Sequence, residues 1–163
     1  MIIDWMEELG EESLTFDYKD IANRVIEATC DYVKCHYEIS VEIGLVDNEN
    51  ICIINNEYRN IDKPTDVLSF PMNDIVPPAD FSNEANFSFD PDTGELILGD
   101  IIISKEKVKS QAEEFGHSEI REYAFLITHS MLHLFGYDHI DEDERKNMES
   151  IQKKILQNLN ILR

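Results

Sequence analysis

Three histidines in the C-terminal half, His129, His133 and His139, form the strongest chemical signal in this 163-residue chain. They stand in the run His129-Ser130-Met131-Leu132-His133-Leu134-Phe135-Gly136-Tyr137-Asp138-His139. Four residues apart on a helix, His129 and His133 project from one face a turn apart and can share one ion. Gly136 lets the chain leave the helix through a left-handed cap, so that His139 can return to the same ion from a non-helical segment. Three neutral imidazoles suit zinc and, on softness alone, nickel or copper. Structural zinc sites are closed by four protein ligands, usually with thiolates. Three histidines leave a position for water, the mark of a catalytic site. A lone histidine on an apolar helix is most often a satisfied core residue. Here the surrounding Tyr123 to Phe135 segment is apolar on almost every side, so both imidazoles need buried partners. Each would cost roughly 1–3 kcal/mol if left unpaired, and one shared metal satisfies both.

The spacing also matches the metzincin protease pattern H-E-x-x-H-x-x-G-x-x-H except at one position. Ser130 stands where those proteases carry glutamate, and a serine hydroxyl cannot take a proton from metal-bound water near neutral pH. Metzincin-like peptide hydrolysis is therefore the second reading. A further constellation runs from Asn56 to Phe70, where a helix ends near Arg59, a polar loop follows and a strand starts at Val67. Arg59 and Lys63 are a local basic pair in a very acidic protein. Arg59 can steady a phosphate or the extra charge of a five-coordinate phosphorus. The plainer alternative is a helix-end arginine paired with the dipole or a nearby carboxylate.

The elements that must position these groups follow from periodicity. Residues 1–6 suit a short strand, and 18–36 a helix with Ile21, Val25, Ile26, Ala28 and Val33 inward. Residues 37–46 alternate as a half-buried strand, before the turn chemistry of Asp47-Asn48-Glu49-Asn50. Ile51, Ile54 and Tyr58 recur at helical spacing. Val67 to Phe70 is a short strand, and Leu96 to Ile103 a nearly all-apolar, central one. Between those two strands lies a long stretch, Asn73 to Glu95, that reads equally as a disordered insertion or a substrate lid. Helices follow at 105–114 and 118–135, with Ser118 as N-cap. The last helix opens on the capping-box pattern Asp141-x-x-Glu144 and carries the stripe Met148, Ile151, Ile155, Leu159, Leu162. The expected fold is an α/β (α+β) sandwich: a small mixed sheet of about four strands against about five helices, with the metal site on a central helix. The whole of 1–163 is expected to be one domain.

Composition bounds the partners. Hydrophobic residues are 42% and charged residues 29% of the chain, the balance of a globular protein. No apolar run reaches the roughly 20 residues needed to span a bilayer. Acid near the N-terminus, where a secretory signal carries Lys or Arg, points to the cytoplasm. Three cysteines without framework spacing fit a reducing compartment, and Cys30-x4-Cys35-His36 reads as core packing rather than a metal site. His117 reads as a loop histidine, and Asp138 either as a group orienting an imidazole or as a turn residue bonding its own backbone. The acidic runs Glu7-Glu8-Leu9-Gly10-Glu11-Glu12 and Asp141 to Glu144 read as solvated faces. Fourteen Lys and Arg against 34 Asp and Glu give a net charge of −20, which repels polyanions. A nucleic-acid role would need a local site, a metal, or a partner that supplies positive field.

Those two constellations, with Gly99-Asp100-Ile101-Ile102-Ile103-Ser104 and Gly116-His117-Ser118 followed by Arg121-Glu122, resemble the YbeY family of bacterial endoribonucleases. The resemblance runs from the strand near residue 39 to the end of the last helix. It implies a zinc-dependent, single-strand-specific endoribonuclease acting in ribosomal RNA maturation, notably at the small-subunit 3′ end, and in quality control of defective ribosomes. It places the ligands of one zinc ion on His129, His133 and His139 and an essential arginine on Arg59. The implied partners are single-stranded rRNA and the ribosome or its small-subunit proteins, with no membrane. One departure is visible: the family commonly has glycine where this chain has Ser130, whose side chain would crowd or hydrogen-bond near the site. A non-enzymatic alternative is a ribosome-assembly factor whose metal only stiffens the fold.

Overall fold

In the computed structural model, which describes residues 1–8 and 13–162, four strands form one mixed sheet and five α-helices pack around it. The elements are β1 (Ile2–Glu7), α1 (Tyr18–Tyr32), β2 (Ile39–Val46), α2 (Asn48–Arg59), β3 (Val67–Pro71), β4 (Leu96–Ser104), α3 (Lys105–Phe115), α4 (Glu119–Leu134) and α5 (Glu142–Asn158). The spatial order is β1-β2-β4-β3. β1, β2 and β4 are parallel, and β3 runs antiparallel to β4. The α/β architecture expected above is the one observed. Part of the N-terminal acidic run, residues 9–12, lies outside the described residues.

The sheet buries two unequal faces. Val41, Ile43 and Leu45 of β2 join Leu96, Leu98, Ile101 and Ile103 of β4 in the main core, under α1 and α4. The change from even to odd numbers along β4 comes from a bulge. Ser40 pairs with Ile97 but Val41 with Gly99, so Leu98 is an extra residue and the pleat is reset behind it. Gly99 sits at φ +140°, and a Cβ there would lie 2.1 Å from the Phe70 carbonyl oxygen. Only glycine lets β3 close on β4 at this point. The other face carries a small cluster of Val46, Ile51, Leu68 and Ile102 beneath α2.

α4 is the central element, in contact with α1, α3, α5, β3 and β4. That position explains its composition: ten of its sixteen residues are buried, so polarity survives only where it is satisfied. α5 starts as its capping pattern requires, with Asp141 Oδ1 accepting the Glu144 N–H at 2.8 Å. The return bond is displaced by one residue, because Glu144 Oε2 accepts from Ile140 N–H at 3.2 Å. Its stripe buries Met148, Ile151 and Ile155, while Leu162 lies beyond the helix and is 60% exposed. α1 ends at Tyr32, short of 36, because Lys34 takes φ +57° and Cys35 N–H turns back to the Cys30 carbonyl.

The Asn73–Glu95 stretch is a packed loop. It contains a 3-10 turn at Glu84–Asn86, and Ile75, Ala79 and Phe87 are buried in the main core. Phe81 stands edge-on to Phe135 and Tyr37, at 6.1 and 5.8 Å between centroids. Asn73 pins its start, donating to Ile97 O at 2.7 Å and accepting from Ser88 N–H at 2.7 Å. No described helix is long and apolar enough to cross a membrane.

Candidate metal centre

The C-terminal half of α4 and the turn after it create the site. Ser118 Oγ caps α4 by accepting the Arg121 N–H at 3.1 Å. One helical turn separates His129 from His133, and their Nε2 atoms lie 3.0 Å apart. The helix ends at Leu134, and Gly136 adopts φ +94°. A Cβ at Gly136 would fall 1.8 Å from the Ile75 carbonyl oxygen, so the packed loop closes directly on this turn. Residues 137–139 then fold back. The His139 ring lies 5.0 Å from His133 and 5.4 Å from His129 between centroids. One ligand atom from each histidine lies within 4.8 Å of the other two. Among the described residues, this is the one such group of three or more His, Cys, Asp or Glu side chains. The sequence reading of His129, His133 and His139 as neighbours in space therefore agrees with the structure, and the group could hold a metal ion.

The chemistry of these donors fits a divalent ion. His133 Nδ1 lies 2.9 Å from the Tyr137 carbonyl oxygen, which can only accept a hydrogen bond. A neutral His133 thus carries its proton on Nδ1 and turns a bare Nε2 lone pair to the cluster. Burial, reinforced by the neighbouring imidazoles, holds the His129 pKa down at about 3. Burial likewise lowers that of His133. Both rings are neutral near pH 7, the form that binds metal. Two nitrogens on one tetrahedral zinc stand about 3.4 Å apart for bonds of ~2.1 Å, close to the spacing seen. His139 is exposed, so one side of the group opens to solvent.

That open side is a cleft of about 980 Å³ between β3, the start of the packed loop, and the α4–α5 pair. Arg59 lines it from the last residue of α2, whereas Lys63 is exposed and does not line it. The local sequence fixes Arg59 there: Asn60 caps α2 in the left-handed region at φ 56°, and buried Asn55 donates to Lys63 O at 2.9 Å. A second cleft arginine, Arg145, is held by Glu142 and Glu149. Among the described residues, Arg59 has no carboxylate partner; of the plainer reading, only the favourable end of the α2 dipole is present, because Arg59 stands in the last turn.

Other candidates find structural roles. Asp138 Oδ1 accepts the His139 backbone N–H at 2.8 Å, the turn role. Ser130 is fully buried and bonded to β3, where Ser69 Oγ donates to it at 2.9 Å. His117 Nε2 pairs with buried Glu122 at 2.6 Å. Gln111 links Glu122 to Asp66 at the start of β3, at 2.8 and 3.2 Å. Cys30 and Cys35 pack against the core as free thiols, and His36 lies against Tyr37 and Phe81. Sequence reasoning missed Gln152, a buried residue of α5 whose amide lies 2.7 Å from His129 Nδ1. Its signal was faint: a polar residue one turn after Met148, beside an apolar stripe.

The model of the family described as Endoribonuclease YbeY matches residues 6–160. An endoribonuclease YbeY of Agathobacter rectalis is 55% identical over 98% of each chain. One of Lachnospira eligens is 51% identical over 94% of this chain and 95% of its own. A solution structure from Thermotoga maritima shares the fold, with a TM-score of 0.57 at 22% identity over 98% of this chain and 92% of that one. The family match begins in β1, well before residue 39, and ends in the turn after α5, enclosing every element that builds the histidine cleft. The chain belongs to the YbeY endoribonuclease family.

Proposed function

We propose that this chain is a zinc-dependent, single-strand-specific endoribonuclease, acting as one hydrolase domain over residues 1–163 in the cytoplasm. Its substrate would be ribosomal RNA, at the small-subunit 3′ end and on defective ribosomes, with ribosomal or small-subunit proteins as partners. The observation that carries this reading is the convergence of three imidazole nitrogens in a cleft that also contains Arg59, which has no carboxylate partner among the described residues. His129, His133 and His139 would hold one ion. Such an ion supplies Lewis acidity and hydroxide near neutral pH when bound.

The chain's own groups supply the rest. The Arg59 guanidinium, on the rim formed by α2 and β3, would grip a non-bridging phosphate oxygen and stabilise the charge gained at phosphorus. Tyr137 O holds the His133 proton on the far nitrogen and keeps that ring aimed at the cluster. The net charge of −20 makes the surface a poor general RNA binder. A basic protein partner would then place the substrate in the cleft. The protease reading is weakened by Ser130, which is buried and bonded to Ser69 and offers no base to the cleft.

Metal-loaded protein should cut a defined unstructured RNA and leave peptides intact. Peptide cleavage without RNA cleavage would select the metzincin-like alternative. Normal rRNA processing in cells carrying a folded, ribosome-binding His133 variant would select the assembly-factor alternative.

A further inference from the structure

Gln152 meets His129 from a different helix, with only 2% of its surface exposed, and its amide is 2.7 Å from Nδ1. A carboxamide offers a donor at one end and an acceptor at the other, exchanged by a half-turn. A neutral imidazole also has two forms, with the proton on either nitrogen. The pair therefore has two complete arrangements. In one, Gln152 N–H donates to His129 Nδ1, and His129 Nε2–H donates across 3.0 Å to the bare Nε2 of His133. That arrangement pairs both nitrogens of His129, and both of His133, without an ion. In the other, Gln152 Oε1 accepts from His129 Nδ1–H, and His129 Nε2 becomes a lone pair. Two lone pairs then face each other at 3.0 Å, which is stable only with a cation between them.

We propose that Gln152 is a positioning residue that selects the tautomer of His129 by rotating its side-chain amide, so that the empty centre is hydrogen-bonded and the loaded one is metal-ready. The inference rests on the reading of His129 and His133 as metal ligands. His133 has no such freedom, because the Tyr137 carbonyl only accepts. Uptake of an ion thus requires one proton to move from Nε2 to Nδ1 of His129 alone. A carboxylate at position 152 could only accept, and would remove the ion-free arrangement.

Imidazole proton–nitrogen NMR on the full chain, before and after Zn²⁺ is added, tests this without any substitution. The expected result is His129 protonated on Nε2 in the metal-free protein and on Nδ1 in the loaded one. With Zn²⁺ competed against a chromophoric chelator, Gln152→Leu should bind about 10–100-fold more weakly than wild type. Gln152→Glu should bind at least as tightly as wild type and carry the Nδ1 proton even without metal. An unchanged His129 tautomer on loading, or a folded Gln152→Leu with wild-type affinity, overturns the role of Gln152 and leaves the metal centre standing. Wild-type protein that takes up no Zn²⁺ overturns both.

Discussion

Ser69 Oγ donates a 2.9 Å hydrogen bond to Ser130 Oγ, joining β3 to the helix that carries His129 and His133. Two walls of the cleft are thereby tied at the residue that follows His129. The Ser130 hydroxyl thus hydrogen-bonds near the site, to a residue that lines the cleft. Replacing either serine by alanine leaves the other hydroxyl, half-buried at Ser69 or buried at Ser130, without its partner, so each should cost about 0.5–1.5 kcal/mol. The double variant should cost less than the two together. Urea unfolding of the four proteins measures this, and metal content should not change.

Gly136→Ala should be far more damaging. The left-handed φ of +94° costs an L-residue roughly 1–2 kcal/mol. The new methyl must also displace the Ile75 carbonyl, which would otherwise lie 1.8 Å away. A fall in Tm of about 2–8 °C is expected from the strain alone and more from the clash, with weaker metal binding because His139 enters through this turn. Calorimetry with and without Zn²⁺ separates the two effects.

Arg59→Ala should lower RNA cleavage by about 10²–10³-fold while metal content and Tm stay near wild type. Arg59→Lys should recover part of the loss, because it restores charge without the planar fork. Single-turnover cleavage of one labelled RNA measures both, and cutting by Arg59→Ala at the wild-type rate would remove that residue from the mechanism.

Much of this was legible in local patterns. The i, i+4 histidines, the glycine exit and the third histidine specify nearby rings because a helix has a fixed period. The capping serine and aspartate mark where α4 and α5 begin. What failed to show depends on contacts between distant segments. Ile51, Ile54 and Tyr58 have perfect helical spacing, yet only Ile51 is fully buried and Tyr58 is 65% exposed, because α2 covers just a corner of the sheet. The bulge at Leu98 and the close approach of Phe70 to Gly99 leave no periodic trace. The Asn73–Glu95 loop packs through Ile75, Phe81 and Phe87, whose spacing fits no regular element. Gln152 is intelligible only once α5 is laid against α4.

Cys30 provides a test independent of the site. Burial first, then the nearby Cys35 and Asp31 charges, pushes its thiol up to about 12. The native chain therefore keeps a proton that an unfolded thiol loses near pH ~8.5. Stability from this group is complete below that pH and declines as pH rises towards 12. Urea midpoints should fall more between pH 8.5 and 10.5 for wild type than for Cys30→Ala. Iodoacetamide at pH 8.5 should label Cys30 last of the three thiols.

The central claim is a divalent ion gripped by His129, His133 and His139 with a position left for solvent. X-ray absorption at the zinc edge on stoichiometrically loaded protein tests it most directly. The account predicts one ion per chain with three imidazole nitrogens at about 2.0–2.1 Å and one further light oxygen donor. Absence of bound zinc, sulfur in the coordination sphere, or an unchanged spectrum in His133→Ala would contradict it.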